Sequence, residues 1–197
     1  MVRSNPDLCG LNVTIPYKEQ VLAYIDEADQ VVQEVKAANC IHVRAGRLVA
    51  YNTDVIGFER SLLTRFNPHH THALILGTGG ASKAVGYVLH RLGLQIRFVS
   101  RKPSANAMGY EQVSPGLLAA HTLVVNTTPL GMYPATDDFP ALPYEAITPQ
   151  HYFFDLVYNP AETIFLRNAR LQGAVTHNGA DMLEIQAEES WKIWNAG

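Results

Sequence analysis

A lysine closes the segment "NVTIPYK", in which a strand-like run stops at a proline. Val13, Thr14 and Ile15 favour an extended backbone, and Pro16 suits the first position of a helix. Lys18 is then predicted to lie in the first turn of that helix, where exposed backbone N–H groups disfavour a cation by roughly 0.3 to 1 kcal/mol. This placement suggests an ammonium held for chemistry, with an ordinary solvated lysine as the alternative.

The segment "LILGTGGASKA" is typical of a loop that binds phosphate groups. A strand leads to Gly77, and Gly79 and Gly80 allow a tight turn that brings the backbone close to a pyrophosphate at the N-terminus of the next helix. Small Ala81 and Ala84 let that helix pack closely on the sheet. Because the spacing departs from G-x-G-x-x-G, a tight structural turn is the alternative to a dinucleotide site.

The residues after the following strand indicate which dinucleotide is preferred. An NAD site usually carries Asp or Glu about 20 residues after the glycines, where it binds the ribose hydroxyls. Here the strand ends in Ser100, Arg101 and Lys102, whose two cations could pair with a ribose 2′-phosphate. The sequence therefore predicts NADP rather than NAD, with two solvated surface cations as the alternative.

A third loop, "VVNTTPLGM", leaves another predicted strand. It places Asn126, Thr127 and Thr128 at the carboxyl end of that strand, where α/β sheets bind ligands. We therefore expect Asn126 and Thr127 to contact the cofactor. An Asn-Pro-Gly turn without a ligand is the alternative interpretation.

The composition predicts a globular protein without a nucleic-acid or membrane partner. The 197 residues carry a formal charge of -3, with acids and bases interspersed. Cys9 and Cys40 have neither CxxC nor metal-ligand spacing, and the sequence has no signal-like or membrane-length apolar run. A cytoplasmic location is expected. His69, His70 and His72 are interpreted as linker residues, because no further ligand set accompanies them.

The first third of the chain predicts a small α/β unit. A helix is expected over residues 17–25 and a second in "QVVQEVKAA", followed by strands "CIHVR" and "RLVAYN" that a hairpin at Gly46 connects. The segment "DVIGFERSLLTRF" has apolar residues at helical spacing and stops before Asn67 and Pro68. Asp54 is well placed to cap this helix.

Beyond "NPHHTH" the pattern alternates between strand and helix, which favours parallel βαβ units. The candidate strands are "ALILG", "QIRFVS", "TLVVN" and "YFFDLV", with "AVTHN" as a fifth. The predicted fold class is α/β, with a Rossmann-like parallel-sheet domain and a smaller, incomplete α/β substrate domain. The predicted boundaries are 1–66 for the substrate domain, 73–178 for the nucleotide-binding domain and 179–197 for a closing helix that returns to the first.

Taken together, the motifs resemble the shikimate dehydrogenase family. "NVTIPYK", "AAN" followed by "YNTD", "GTGGASKA", "NTTPLGM", "DLVYNP" and "GADML..Q" occur in the family's order, from about Gly10 to Trp194. The resemblance implies NADPH-dependent reduction of 3-dehydroshikimate to shikimate, in the biosynthesis of chorismate and the aromatic amino acids. It also implies that Lys18 and Asp54 are the catalytic pair.

The remaining site residues follow from the same resemblance. The positions that match the family's substrate contacts are Thr14, Asn39, Tyr158 and Gln186. The positions that match its cofactor contacts are Gly77, Thr78, Gly79, Gly80, Ala81, Ser100, Arg101, Lys102, Leu156 and Gly179. The chain departs from the family at "SRK", where Asn-Arg-Thr and a further basic residue are common, and this changes the expected 2′-phosphate clamp.

A second departure lies at the start of the chain. Family members usually have a strand, an "HS.SP" loop that holds the substrate carboxylate, a helix and a further strand before the segment that corresponds to "NVTIPYK". We therefore expect a truncated member that binds NADPH but has little dehydrogenase activity, with an open sheet edge, dimers or disorder around residues 1–18. The alternatives are a catalytically incompetent NADP-binding fragment, or a quinate/shikimate dehydrogenase that uses NAD.

Overall fold

The computed structural model describes residues 2, 4–5 and 7–196, and it contains two β-sheets. The smaller sheet has the strand order β1-β3-β4-β2. Its strands are β1 (Gly10–Asn12), β2 (Glu27–Ala28), β3 (Cys40–Arg44) and β4 (Arg47–Tyr51). β3 and β4 form the predicted antiparallel hairpin, while β2 pairs with β4 in parallel. β1 is the edge strand on one side, and part of the expected disorder in 1–18 falls on residues 1, 3 and 6, outside the described residues.

The helix predicted over residues 17–25 is wrong. Only a short 3₁₀ turn forms, at Gln20–Ala23, and Lys18 lies in the turn before it. In an α-helix the Lys18 carbonyl would accept a hydrogen bond from the amide four residues later. Here that carbonyl accepts a hydrogen bond from the Ala38 amide instead, at 2.8 Å. This contact with a distant loop replaces the helical hydrogen bond. The strand expected at residues 13–15 is likewise displaced to Gly10–Asn12.

The larger sheet has six parallel strands in the order β10-β9-β8-β5-β6-β7. The strands are β5 (His72–Leu76), β6 (Gln95–Val99), β7 (Ala107–Met108), β8 (Leu123–Asn126), β9 (Tyr152–Asp155) and β10 (Val175–His177). Apart from His72, the residues of β5, β8 and β9 are buried, which explains the continuous apolar sequences of these strands. The two-residue strand β7 was not predicted, because it is too short to show a periodicity.

Six α-helices surround the two sheets within the described residues. They are α1 (Gln30–Val35), α2 (Thr53–Leu63), α3 (Gly80–Arg91), α4 (Pro115–Ala120), α5 (Ile164–Leu171) and α6 (Ala180–Asn195). α6 returns to the smaller sheet, where the Trp194 indole donates a 3.0 Å hydrogen bond to the Ile41 carbonyl. It also packs on α2 at Gly57, where a Cβ would lie 2.8 Å from the Met182 carbonyl oxygen.

One apolar cluster joins α2 to the face of the larger sheet that α3 covers. It includes Phe58 and Leu62 from α2, Val88 from α3 and Phe154 from β9. The larger sheet therefore packs against α2, while Ile41 and Ala50 of the smaller sheet belong to a separate apolar cluster. The domain boundaries at 66, 73 and 178 stay a prediction. Among the described residues, no helix is both long and apolar enough to cross a membrane.

Candidate functional site

Lys18 and Asp54 form an ion pair between the two sheets. The Lys18 Nζ lies 2.7 Å from Asp54 Oδ2, and the two side chains are 14% and 7% exposed. Asp54 does not cap α2, as the sequence suggested, because Asn52 is the N-cap and accepts a hydrogen bond from the Val55 amide. The Asp54 carboxylate lies in the first turn, where the helix dipole favours its negative charge. It is therefore free to orient the Lys18 ammonium.

Asn39 holds the other carboxylate oxygen in place. Its Nδ2 lies 3.1 Å from Asp54 Oδ1 and 3.2 Å from Gln186 Oε1, and its Oδ1 accepts a 2.7 Å hydrogen bond from the Thr53 amide. Asn39 is almost completely buried, so these bonds fix the direction of its amide. The predicted residues Lys18, Asp54, Asn39 and Gln186 thus form one connected polar group.

This polar group opens into a cavity of about 640 Å³, which we call the larger cavity. All of the residues assigned by resemblance to the substrate line it: Thr14, Asn39, Tyr158 and Gln186. Leu156 and Gly179, assigned to the cofactor, also line it. Met132, Met182 and Leu183 add an apolar wall. They fall within the motifs "NTTPLGM" and "GADML..Q", but the sequence interpretation gave these apolar positions no role in the site.

A second cavity, of about 300 Å³, also has Lys18 in its lining and is called the smaller cavity. It is lined by the whole glycine loop, Gly77 to Ala81, and by Ser100, Arg101 and Thr127. Six residues line both cavities: Ile15, Lys18, Ala81, Thr127, Thr128 and Pro129. Lys18 therefore lies at the junction of the two cavities.

The glycine loop has the shape that a pyrophosphate requires. Gly77 has a φ of +110°, and a Cβ there would lie 2.6 Å from Thr127 Oγ1. Gly79 is the N-cap of α3, has no side-chain capping bond and has open space in front of its Cα. The first amides of α3 thus face the smaller cavity, where they can bind an anion. A Cβ on Gly80 would lie 3.0 Å from the Lys18 Cβ, so the loop also contacts Lys18.

The charges around the smaller cavity favour a further phosphate group, in addition to the pyrophosphate. Arg101 lines this cavity. The only carboxylate among its described lining residues is Glu19, which is already paired with the Lys83 ammonium at 2.5 Å. Lys102 is exposed and does not line the cavity, so its predicted contact with the cofactor stays a prediction.

Tyr110 is a lining residue that the sequence interpretation missed. Its hydroxyl is buried and has no hydrogen-bond partner among the described residues. Burial raises the pKa of this phenol, and the nearby positive charge of Arg101 partly opposes the shift. A lone tyrosine after a two-residue strand gives no sequence signal, whereas the structure places it beside the basic group of the cavity.

Asn126 was expected to contact the cofactor, and the three histidines were expected to be linker residues. Their surroundings in the structure are different. Asn126 is fully buried and lines neither cavity, so its predicted contact with the cofactor stays a prediction. His70 is buried against Thr122, with 3.1 Å between Nδ1 and Oγ1, and His72 begins β5. Only His69 is an exposed loop residue of the three.

The agreement in sequence with known proteins extends beyond the motifs. A family model described as "Shikimate dehydrogenase substrate binding domain" matches residues 2–41. The shikimate dehydrogenase (NADP(+)) of Caldicellulosiruptor bescii is 38% identical over 98% of this chain and 72% of its own length. The chain belongs to the shikimate dehydrogenase family.

Solved structures of shikimate dehydrogenases and their relatives have the same fold. The shikimate 5-dehydrogenase of Thermus thermophilus, in complex with NADP(H) and shikimate, is 31% identical and superposes with a TM-score of 0.86 over 100% of this chain and 76% of its own. A quinate dehydrogenase from Corynebacterium glutamicum, in complex with NAD, is 29% identical and has a TM-score of 0.83 over 97% and 74% of the two chains. The predicted family and fold class are confirmed.

Proposed function

We propose that this member of the family reduces 3-dehydroshikimate to shikimate with NADPH, as a step of chorismate and aromatic amino-acid biosynthesis. The observation that carries this assignment is the Lys18–Asp54 pair at the junction of two cavities. The smaller cavity suits the phosphates of a dinucleotide, and the larger one suits its nicotinamide end together with a small polyhydroxylated acid.

Lys18 and Asp54 supply what the ketone oxygen needs. Bound NADPH would provide the hydride that the carbonyl carbon gains. The Lys18 ammonium donates a hydrogen bond to the carbonyl oxygen and stabilises the negative charge that develops on it. A proton from the Lys18–Asp54 pair completes the secondary alcohol.

The chain orients the polar groups around the substrate before this step. Asn39 holds the Asp54 carboxylate and Gln186 in fixed directions, so their remaining polar atoms are preorganised toward the larger cavity. Thr14 and Tyr158 add hydroxyl groups to the same wall, which suit a substrate that is rich in hydroxyl groups. Misplacement of such groups by about 1 Å can lower a rate on the order of 100-fold.

The cofactor preference depends on Arg101. The glycine loop and the start of α3 would bind the pyrophosphate, and Arg101 would pair with the 2′-phosphate that distinguishes NADP from NAD. We assign to this half-site the predicted residues Gly77 to Ala81, Ser100, Arg101 and Thr127.

The experiment that tests this function measures NADPH and NADH oxidation with 3-dehydroshikimate and with 3-dehydroquinate. Against the expectation of little dehydrogenase activity, the intact Lys18–Asp54 pair favours turnover, which should have the highest kcat/KM with NADPH and 3-dehydroshikimate. Isothermal titration of NADPH and shikimate, each alone, separates the two half-sites. Binding of NADPH without any turnover would identify an NADP-binding protein instead of an enzyme, and a preference for NADH would contradict the role of Arg101.

A further inference from the structure

Asp155 is a buried acid that lines neither cavity. It is the last residue of β9, is fully buried, and accepts hydrogen bonds from Asn126 Nδ2 at 2.9 Å, the Val157 amide at 3.0 Å and Thr163 Oγ1 at 2.6 Å. All three donors are neutral. Burial raises the pKa of this carboxyl to about 7, against the opposing effect of the three hydrogen bonds. A buried carboxyl that has no cationic partner among the described residues lowers stability, so the presence of this acid needs a reason beyond packing.

The first of these bonds controls the loop after β8. Asn126 is the register partner of Asp155 on the neighbouring strand. Because the carboxylate accepts from Asn126 Nδ2, the amide oxygen must face the other way, where it accepts from the Thr128 amide at 3.1 Å and the Thr128 hydroxyl at 2.6 Å. Thr128 and its neighbour Pro129 line both cavities. The direction of one buried amide thus fixes a shared wall of the two cavities.

The other two bonds control the loop after β9. The Val157 amide that Asp155 holds lies between Leu156 and Tyr158, and all three of these residues line the larger cavity. Thr163 is the N-cap of α5, so its bond to Asp155 anchors the far end of the same loop. The two loops also touch, since a Cβ on Gly131 would lie 3.2 Å from the Thr163 Cβ.

We propose that Asp155 is a positioning residue that sets the shape of the larger cavity through Asn126, Val157 and Thr163. It acts on the side where the nicotinamide and the substrate would meet, and its three hydrogen bonds involve neither the glycine loop nor Arg101, which line the smaller cavity. This assignment of ligands rests on the proposed function. Loss of the carboxyl should therefore weaken substrate binding selectively.

Isothermal titration with two probes tests this selectivity. Shikimate, added at saturating NADP⁺, reports on the larger cavity, and adenosine 2′,5′-bisphosphate reports on the smaller one. We expect Asp155→Ala to weaken shikimate binding roughly tenfold or more, because it releases two loops of the wall. The bisphosphate affinity should stay within about twofold, because the three hydrogen bonds of Asp155 reach neither the glycine loop nor Arg101, although Thr128 and Pro129 line both cavities. Asp155→Asn keeps an oxygen that can accept from Asn126 and Val157, so it should largely restore shikimate binding.

Leu166→Ala serves as the matched control for stability alone. Leu166 is buried in the cluster under α5, close in sequence to Thr163, and its side chain makes no polar contact with either loop. Hydrogen exchange should be faster at residues 127–132 and 156–162 in Asp155→Ala than in Leu166→Ala, once both are corrected for global stability. The same exchange and binding pattern in the two variants would overturn the proposal, as would equal weakening of both probes or no rescue by Asp155→Asn.

The outcome for wild-type protein separates this proposal from the function on which it rests. If wild-type protein binds the bisphosphate but not shikimate, the proposed substrate is wrong. The exchange comparison then decides on Asp155 alone, since the order of the two loops can be measured without any ligand. Unchanged exchange at both loops in Asp155→Ala would exclude the positioning role.

Discussion

Lys18 combines a short contact with a low exposure, and these two features distinguish it from a surface lysine. Its ammonium lies 2.7 Å from Asp54 and is held at the junction of the two cavities. We expect Lys18→Ala to lower kcat about 100-fold or more, because general acid–base groups typically contribute factors of 100 to 10,000. The affinity for NADPH should change little. Lys192→Ala, which removes an exposed lysine from α6, is the control, and steady-state kinetics that show similar turnover in both variants would contradict the catalytic role.

Arg101 and Lys102 are adjacent cations with different surroundings, so they form a matched pair of variants. Only Arg101 lines the smaller cavity. A charge-assisted hydrogen bond to the 2′-phosphate is worth about 1.5 to 3 kcal/mol, so Arg101→Ala should weaken NADP⁺ binding roughly tenfold or more. Neither NAD⁺ binding in Arg101→Ala nor NADP⁺ binding in Lys102→Ala should change by more than about twofold. Titration calorimetry that finds the larger loss in Lys102→Ala would assign the phosphate contact to the other cation.

Several site residues could be predicted from their neighbours in sequence, and others could not. Arg101 lies two residues after β6, and the carboxyl ends of parallel strands bring such residues together at one edge of the sheet. The cap of α2 was wrongly assigned to Asp54 because Asn52, two residues earlier, caps equally well, and only the backbone geometry selects between them. Tyr110 gave no signal, and Asp155 begins the quoted motif "DLVYNP" without being assigned a role. The importance of both residues comes from contacts with residues that are distant in sequence.

Among the elements, the sequence predicted most strands and helices in their order. It missed the two-residue strands β2 and β7, and it predicted a helix at residues 17–25 that a long-range contact prevents. The alternation of apolar strands and helices was enough to place the parallel sheet. The helix expected at residues 17–25 had suitable local residues, yet the Lys18 carbonyl bonds to the Ala38 amide and the helical ladder does not form. Tertiary hydrogen bonds of this kind override local propensity and leave no periodic pattern.

Two helical glycines allow a test of how α2 packs on α6. Gly57 approaches α6 so closely that a Cβ would lie 2.8 Å from the Met182 carbonyl oxygen, whereas a Cβ on Gly116 in α4 would meet nothing within 4 Å. We expect Gly57→Ala to lower the free energy of unfolding by about 1 to 3 kcal/mol through overpacking. Gly116→Ala should raise it by roughly 0.5 to 1 kcal/mol, because alanine favours a helix. Urea unfolding in which both variants gain stability would show that the α2–α6 contact is looser than described.

At the scale of the whole molecule, two buried groups make stability depend on pH in opposite directions. Burial, with smaller contributions from His69 and His151, lowers the pKa of His70 to about 4 from its usual 6.5. Burial raises the pKa of Asp155 to about 7 from 3.8. As pH falls from about 6.5 to 4, the unfolded chain binds a proton at His70 and the folded chain does not. The free energy of unfolding therefore decreases through His70. Over the same range of pH, the folded chain binds a proton at Asp155 before the unfolded chain does. The free energy of unfolding therefore increases through Asp155.

A single substitution separates the two effects. His70→Gln removes the titrating ring and keeps a side chain that can bond to Thr122, the present partner of His70 Nδ1. We expect the urea midpoint of this variant to fall less than that of the wild-type protein between pH 6.5 and pH 4, because the variant has no imidazole that the folded state keeps neutral. At pH 8, where the imidazole is neutral in both states, the midpoints should differ only by the altered packing. Urea titrations at pH 8, 6.5, 5 and 4 give the four comparisons. Parallel midpoint curves for the two proteins would mean that His70 titrates alike in the folded and unfolded chains, and that its burial does not control the acid sensitivity of the fold.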